Sequence, residues 1–303
     1  MRVLIQLITD TFLEYLGQPV RLNRLLKHRP QVIASLMVDS TCIALNSVAC
    51  WHELGMYADT TWPKRTQGFL RGWKWSSVYG YSSFELHRSE YAQIARCVIS
   101  RNWSCEIIEV DGFSNSKSDL KAFTSTDRMV ETNSKNYISE ITQAKLTENL
   151  AHKEIRTIHA PGTDYFSRHS WDCRLFLCND GGSHHLAAAK YIAARLPQSV
   201  TLIGDLHEYS LNEAAISSLC RDYEIFVVSD AEYIFPDFFK AMESFRATWL
   251  WHPMPKPFEE IRAVLLPKSE RRSMRVAETL RRAGSVDLGK RLSELAAMQC
   301  VNV

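Results

Sequence analysis

Short apolar runs and stretches of helical periodicity follow one another along the second half of the chain. Four apolar runs have the length of β-strands: 174–178, 199–204, 225–228 and 248–251. Three stretches carry apolar residues at helical spacing: 185–196, 212–223 and 237–245. Strands and helices that alternate at short intervals are typical of a layered α/β domain, which we expect to span residues 137–253.

The first half of the chain has a less regular pattern. Apolar residues at helical spacing predict helices over three stretches: 3–15, 20–27 and 89–100. Aromatic residues at alternate positions within 73–81 favour a strand or hairpin. Residues 1–110 are therefore predicted to form a mixed region of unknown type.

Two segments border the predicted α/β domain. Residues 111–136 are dense in Ser, Thr, Asn, Lys and Asp, which predicts a polar connector, followed by a helix over 137–152. Residues 254–303 are predicted to form a basic helical tail, with a surface helix over 269–282. The fold class is therefore α/β in the broad sense, with α+β character.

Composition excludes several classes of protein. The 303 residues are 46% hydrophobic and 23% charged, as in ordinary globular domains, and the formal net charge is only +2. The apolar stretch 32–50 contains Asp39, which argues against a membrane span. No secretory signal is recognisable, so we expect a cytoplasmic protein whose eight cysteines are reduced.

The strongest candidate for chemistry is the sequence Asn-Asp-Gly-Gly-Ser-His-His over 179–185, where a strand gives way to a helix. Gly181 and Gly182 allow the backbone to approach a ligand closely. The helix that follows offers unpaired N–H groups and the positive end of its dipole, which suits a phosphate. Ser183, His184 and His185 add hydroxyl and imidazole groups.

Gly181-Gly182-Ser183-His184-His185-Leu186-Ala187-Ala188 resembles the phosphate-binding turn of the ParB/sulfiredoxin superfamily. The resemblance implies a ParB/sulfiredoxin-like domain that binds nucleotide phosphates, with ATP or CTP as candidate ligands. It places His184 at the family histidine. Ser183 stands where sulfiredoxins have a reactive cysteine, and His185 replaces the usual arginine, so sulfinic-acid reduction is not expected. No Asn-Pro box and no helix-turn-helix pattern accompanies the turn, which disfavours a centromere-binding ParB.

Two further groups of residues are candidates for the same site. In the superfamily an upstream loop supplies nucleotide contacts, which suggests Thr163, Arg168 and His169. The sequence Gly-Asp-Leu-His-Glu over 204–208 ends a predicted strand, so Asp205 is a candidate for holding Mg²⁺ or positioning water, together with Asp180. Five of the ten histidines lie between 159 and 207, which leaves a zinc or manganese site as an alternative.

We therefore expect a protein that binds a nucleotide or nucleic-acid phosphate at the 181–185 turn. Phosphoryl transfer or hydrolysis would make it a nucleotide hydrolase, phosphotransferase or nuclease, with His184, Asp180 and Asp205 as catalytic candidates. The alternative is a non-catalytic module that uses the turn as an anion anchor to bind nucleic acid or protein.

Two basic regions are candidates for nucleic-acid contact. Residues 256–291 contain five more Lys and Arg than Asp and Glu, and the stretch 62–75 interleaves aromatic and basic residues. Each region also has an ordinary structural interpretation. Residues 256–291 could form a solvated helix face, and residues 62–75 could belong to the core or surface of a sheet.

Overall fold

The computed structural model describes residues 2–38, 40–56, 67–160, 162–196 and 198–299, without the side chains of residues 2–5 and 7. The chain forms two compact units, each assembled from separate segments. Unit 1 contains residues 1–37, 50–95 and 211–297, and unit 2 contains residues 38–49, 96–210 and 298–303. Both units combine a five-stranded sheet with helices, which confirms the predicted mixed class.

The sheet of unit 1 has the strand order β2-β1-β9-β10-β8. The strands are β1 (Phe69–Ser76), β2 (Gly80–His87), β8 (Tyr223–Ser229), β9 (Trp249–Pro253) and β10 (Ile261–Pro267). All described pairs are antiparallel. The predicted aromatic hairpin is confirmed: Trp73 packs against the core while Trp75 is 41% exposed. Trp62 and its basic neighbours lie outside the described residues.

Seven α-helices among the described residues accompany the sheet of unit 1. They are α1 (Arg2–Tyr15), α2 (Val20–His28), α3 (Ser89–Ala92), α8 (Glu213–Asp222), α9 (Phe235–Ser244), α10 (Arg271–Arg282) and α11 (Leu288–Ala297). Helix α10 packs against β8 and β10 through buried apolar residues, and α11 packs against α8 and β8. Residues 254–297 are therefore an integral part of unit 1 and do not form a separate tail, because their apolar positions lie against this sheet.

Unit 2 is built on a mixed sheet with the order β3-β7-β5-β6-β4. The strands are β3 (Ala95–Glu106), β4 (Val110–Phe113), β5 (Tyr165–His169), β6 (Leu175–Cys178) and β7 (Thr201–Leu211). Strand β6 is parallel to β4 and antiparallel to β5, and β5 is parallel to β7.

The described α-helices of unit 2 are α7 (Ser183–Arg195) and three others. The others are α4 (Thr126–Asn133), α5 (Gln143–Leu150) and α6 (Arg156–His159). The small side chains of Ala187, Ala188 and Ala189 are fully buried, so α4 and α5 can pack closely on α7. The core of unit 2 therefore surrounds the helix that follows the Gly-Gly turn.

The stretch 111–136 differs most from its prediction. It contains the end of β4, a short 3-10 helix at Leu120–Ala122 and α4. Leu120, Met129 and Val130 are buried in the unit 2 core. The stretch is therefore a structural part of unit 2 and does not connect separate domains, because a few apolar side chains among the polar ones suffice to anchor it.

Three further boundaries differ from expectation. The helix predicted over 89–100 ends at Ala92, and β3 begins three residues later, with β-branched Val98 and Ile99 suited to a strand. The helix predicted over 137–152 is confined to Gln143–Leu150. The predicted α/β domain over 137–253 is divided, since residues up to 210 belong to unit 2 and those from 211 belong to unit 1.

The structure bears on two further expectations, the absence of a membrane span and the reduced state of the cysteines. Among the described residues no helix is long and apolar enough to cross a membrane. Six described cysteines are free thiols, but Cys173 is disulfide-bonded, so the prediction that all eight are reduced is wrong for this residue.

The burial of Met129 supplies a test of the role of residues 111–136. Met129 is fully buried, so Met129→Ala should lower the free energy of unfolding by about 2–5 kcal/mol, measured by urea denaturation. The exposed Lys121→Ala control should change it by less than about 0.5 kcal/mol. Equal, small effects of the two substitutions would contradict the assignment of this stretch to the core.

Candidate functional site

A cavity of about 590 Å³ lies in unit 2 at the N-terminus of α7. It is lined by the Gly-Gly turn and by three segments remote from it in sequence. The lining residues are Asn115, Ser116, Lys117, Ser118, Asn133, Ser134, Asn136, Tyr137, His152, Glu154, Asp180, Gly181, Gly182, Ser183, His184 and His185. The volume falls within the range typical of small-molecule sites.

The turn can form only because residue 182 is glycine. Gly182 has a φ of +73°, and a Cβ atom there would lie 2.7 Å from the carbonyl oxygen of Glu154. Its N–H donates to Glu154 Oε2 at 3.3 Å, which places a carboxylate beside the first turn of α7. The backbone of residue 154 and the start of α7 are thereby held in direct contact.

Asn179 joins the loop at Asn115, which also lines the cavity, to the Gly-Gly turn. Its side-chain amide donates to the carbonyl oxygens of Asn115 at 3.1 Å and Gly181 at 2.8 Å. Its backbone N–H donates to Ser114 Oγ at 3.0 Å. These bonds join the loop after β4 to the turn after β6, as expected of parallel neighbours whose carboxyl ends meet at one edge of the sheet.

The first turn of α7 has unused hydrogen-bonding capacity. The first backbone bond of the helix runs from the N–H of Leu186 to the carbonyl of Gly182. In the described part of the chain, the N–H groups of Ser183, His184 and His185 form no hydrogen bond. A helix N-terminus with free N–H groups at a cavity is suited to bind an anion.

His184 is engaged on both ring nitrogens. Nδ1 lies 2.5 Å from Ser134 Oγ, and Nε2 lies 3.1 Å from Ser118 Oγ. Burial, and then the charge of Lys117, lower the pKa of His184. The residue joins the end of α4 and the 114–118 loop to α7, so its contacts indicate a positioning role.

His185 is held differently. Its ring is stacked between Tyr137, with ring centroids 4.1 Å apart, and His152, with ring centroids 3.8 Å apart. Nδ1 lies 3.1 Å from Asn149 Oδ1. Burial, and then the proximity of His152, lower the pKa of His185 to about 4. The imidazole is therefore neutral at pH 7.

The structure brings together part of the predicted site. Asp180, Gly181, Gly182, Ser183, His184 and His185 all line the cavity. The carboxylate of Asp180 is largely exposed and pairs with Arg156 at 2.9 Å. This ion pair leaves Asp180 at the rim.

The other predicted residues do not line the cavity. Arg168 lies 3.7 Å from Glu208, His169 is buried and stacks on Tyr209, and Asp205 pairs with Arg101. Thr163 donates to the carbonyl of Ala160.

The directions of the strands explain the displacement. Because β5 is antiparallel to β6, Tyr165 lies opposite Cys178 at the cavity end, and Arg168 lies opposite Leu175 farther along the sheet. Strand β7 continues through residues 204–208, so the loop expected there is a regular part of the sheet.

Sequence reasoning missed the lining residues that lie before the turn. Lys117, Tyr137, His152 and Glu154 were not candidates, although 115–118 is a polar stretch directly after an apolar strand. Binding loops are commonly found at such a position, so this pattern could have identified 115–118 as part of the site.

A metal centre built from the clustered histidines is not supported. Among the described residues, one group of three His, Cys, Asp or Glu side chains lies within mutual reach of an ion, namely Cys50, His52 and Glu53 in unit 1. The cavity of unit 2 holds no such group in the part of the chain that the structure describes.

Within unit 1, most of the excess basic charge of 256–291 is paired. Four ion pairs join basic residues of this range to acidic residues outside it: Arg262 with Asp230, Lys268 and Arg281 with Glu224, and Lys290 with Glu294. Glu278 accepts two more, from Arg275 and Arg282. These ion pairs favour a solvated helix face over a nucleic-acid patch.

Comparison with known proteins assigns a family. Residues 100–303 match a protein family described as "Family of unknown function (DUF6685)". The chain belongs to this family. The range matched to DUF6685 includes every residue that lines the cavity. No curated protein and no solved structure is significantly similar to this DUF6685 chain.

The contact between Gly182 and Glu154 can be tested against a matched glycine. Gly162 also has a positive φ, +99°, but a Cβ there would meet no atom within 4 Å. Gly162→Ala should therefore cost about 1–2 kcal/mol, the penalty of the left-handed backbone alone. Gly182→Ala should cost at least about 2 kcal/mol more, measured by urea denaturation, because the backbone of Glu154 must also move. Equal costs would contradict the close contact.

The state of His185 is testable by NMR titration of its ring nitrogens. We expect a pKa near 4 and a proton on Nδ1 at pH 7. Between pH 6.5 and pH 4, His185 binds a proton in the unfolded chain but stays neutral in the folded protein. The free energy of unfolding therefore decreases as the pH falls through that window. Asn149→Asp should raise the pKa, because a carboxylate would then face Nδ1. Titration of wild-type His185 near pH 6.5 would contradict the burial of its ring.

Proposed function

We propose that unit 2 binds a phosphate-bearing ligand, a nucleotide or a nucleic-acid phosphate, in the cavity at the start of α7. The observation that carries the proposal is the set of N–H groups of residues 183–185, which find no acceptor among the described residues. These residues line a cavity large enough for a small molecule. A phosphate would accept from these N–H groups and interact favourably with the helix dipole.

Side chains around the turn support an anionic ligand. Lys117 is exposed at the cavity and supplies a positive charge. Ser183 Oγ and Ser116 Oγ lie 3.0 Å apart, so one hydroxyl of the pair keeps its proton available for a ligand. The resemblance of residues 181–188 to the ParB/sulfiredoxin turn gives separate support for a phosphate at this position.

The contacts favour binding without turnover over catalysis. Both nitrogens of His184 are bonded to serine hydroxyls, and Asp205 lies away from the cavity. His185, with a pKa of about 4, is a weak base at pH 7. The non-catalytic module is therefore the preferred form of the proposal, and hydrolysis of a nucleoside triphosphate would be evidence for the enzymatic form.

ATP, CTP and Mg²⁺ are candidate ligands within this proposal. Mg²⁺ is usually held by one or two carboxylates together with phosphate oxygens and water. Glu154 lines the cavity and would be the protein ligand, since its bond to Gly182 uses only one of its oxygens. An ion that arrives with the phosphate would also reduce repulsion between Glu154 and the ligand.

The contribution of Lys117 tests the proposal. Calorimetric titration with inorganic phosphate at low salt should give saturable binding, which Lys117→Ala weakens by about three- to tenfold through loss of a positive charge. Lys121→Ala is the matched control, because Lys121 is also exposed but does not line the cavity, and it should leave the affinity unchanged. Equal losses in both variants would show attraction by general charge only, and no phosphate binding would refute the proposal.

A further inference from the structure

The hydrogen bonds of Asn149 determine which nitrogen of His185 carries the proton. Asn149 Nδ2 donates to the carbonyl oxygens of Tyr137 at 2.9 Å and Lys145 at 3.0 Å. These bonds fix the amide so that Oδ1 faces His185 Nδ1 at 3.1 Å. An amide oxygen can only accept, so Nδ1 of His185 must donate. Neutral His185 then has no proton on Nε2.

Because both faces of the His185 ring are covered by stacked rings, only its edge can contact a ligand. Tyr137 and His152 lie on its two sides with interplanar angles of 26° and 13°. Nε2 forms no hydrogen bond to any described residue, and His185 lines the cavity. The ring therefore presents a fixed hydrogen-bond acceptor and has no remaining N–H to offer a phosphate.

The cavity thus has two kinds of polar group close together. The N–H groups of residues 183–185 and Lys117 are donors, whereas Nε2 of His185 and the carboxylate of Glu154 are acceptors. His185 is the third residue of α7, so its ring and the free N–H groups belong to one helical turn. A ligand that satisfies both must carry an anion and a hydrogen-bond donor only a few bonds apart.

We propose that His185 determines specificity for phosphate esters that carry a hydroxyl group near the phosphate, as in a sugar phosphate or the ribose phosphate of a nucleotide. The hydroxyl donates to Nε2 of His185 while the phosphate accepts from the first turn of α7. The inference rests on the proposed function. A hydroxyl suits the site better than an ammonium group, because Lys117 already provides a positive charge at the cavity.

The test compares glycerol 3-phosphate with propyl phosphate, which has the same carbon count and charge but no hydroxyl. Calorimetry on the full chain should show about tenfold tighter binding of glycerol 3-phosphate, the effect of one buried hydrogen bond. His185→Phe keeps an aromatic ring between Tyr137 and His152 and removes the acceptor. It should abolish the preference, because glycerol 3-phosphate loses the hydrogen bond to Nε2 while propyl phosphate has no such bond to lose. Any general weakening caused by the changed ring should affect both esters alike.

Asn149→Ala provides a second variant if His185→Phe does not fold. It removes the bond that fixes the proton on Nδ1, so the preference should fall while propyl phosphate still binds. A third variant, His185→Gln, replaces the ring by a side chain whose oxygen also accepts a hydrogen bond. If this variant keeps the preference for glycerol 3-phosphate, the proposal gains further support.

The outcomes separate the two proposals. Equal binding of both esters by the wild type, or a preference that persists in His185→Phe, would overturn the inference and leave the phosphate site intact. Absence of binding by glycerol 3-phosphate, propyl phosphate and inorganic phosphate would overturn the proposed function and this inference with it.

Discussion

The candidate site depends on the close approach of Gly182 to the backbone of Glu154. With no Cβ and a positive φ, Gly182 lets the carbonyl of Glu154 come within a distance that any other residue would block. This contact places the carboxylate of Glu154 at the first turn of α7 and brings the segment containing His152 to the cavity. It therefore sets both the shape and the charge of the site.

Electrostatic balance distinguishes this cavity from a simple anion site. Glu154 already satisfies the N–H of Gly182, while the next three N–H groups have no described acceptor. A carboxylate beside an anionic ligand is unfavourable unless the ligand also offers a donor or brings a cation. Neutral His185 also favours a ligand that carries a donor, because its available nitrogen is an acceptor. The site is thus suited to a ligand with mixed polarity.

The sequence predicts α7 and its turn well, and the surroundings of the turn poorly. The run of alanine and leucine after two glycines has a strong local signature, and both features are present in the structure. Arg168 and His169 were misplaced because local pattern does not reveal that β5 runs antiparallel to β6. Residues 111–136 looked like a connector, since only Leu120, Met129 and Val130 mark their place in the core. The partner of His185, Asn149, lies 36 positions away and has no sequence signal.

Backbone amide shifts during a titration with inorganic phosphate test the central claim most directly. We predict that the N–H resonances of Ser183, His184 and His185 shift together and saturably, because these three groups form the proposed phosphate site. The N–H of Gly182 should shift less, since it remains bonded to Glu154. Saturable shifts confined to other parts of the chain, or no shifts at all, would contradict the assignment of the first turn of α7 as a phosphate site.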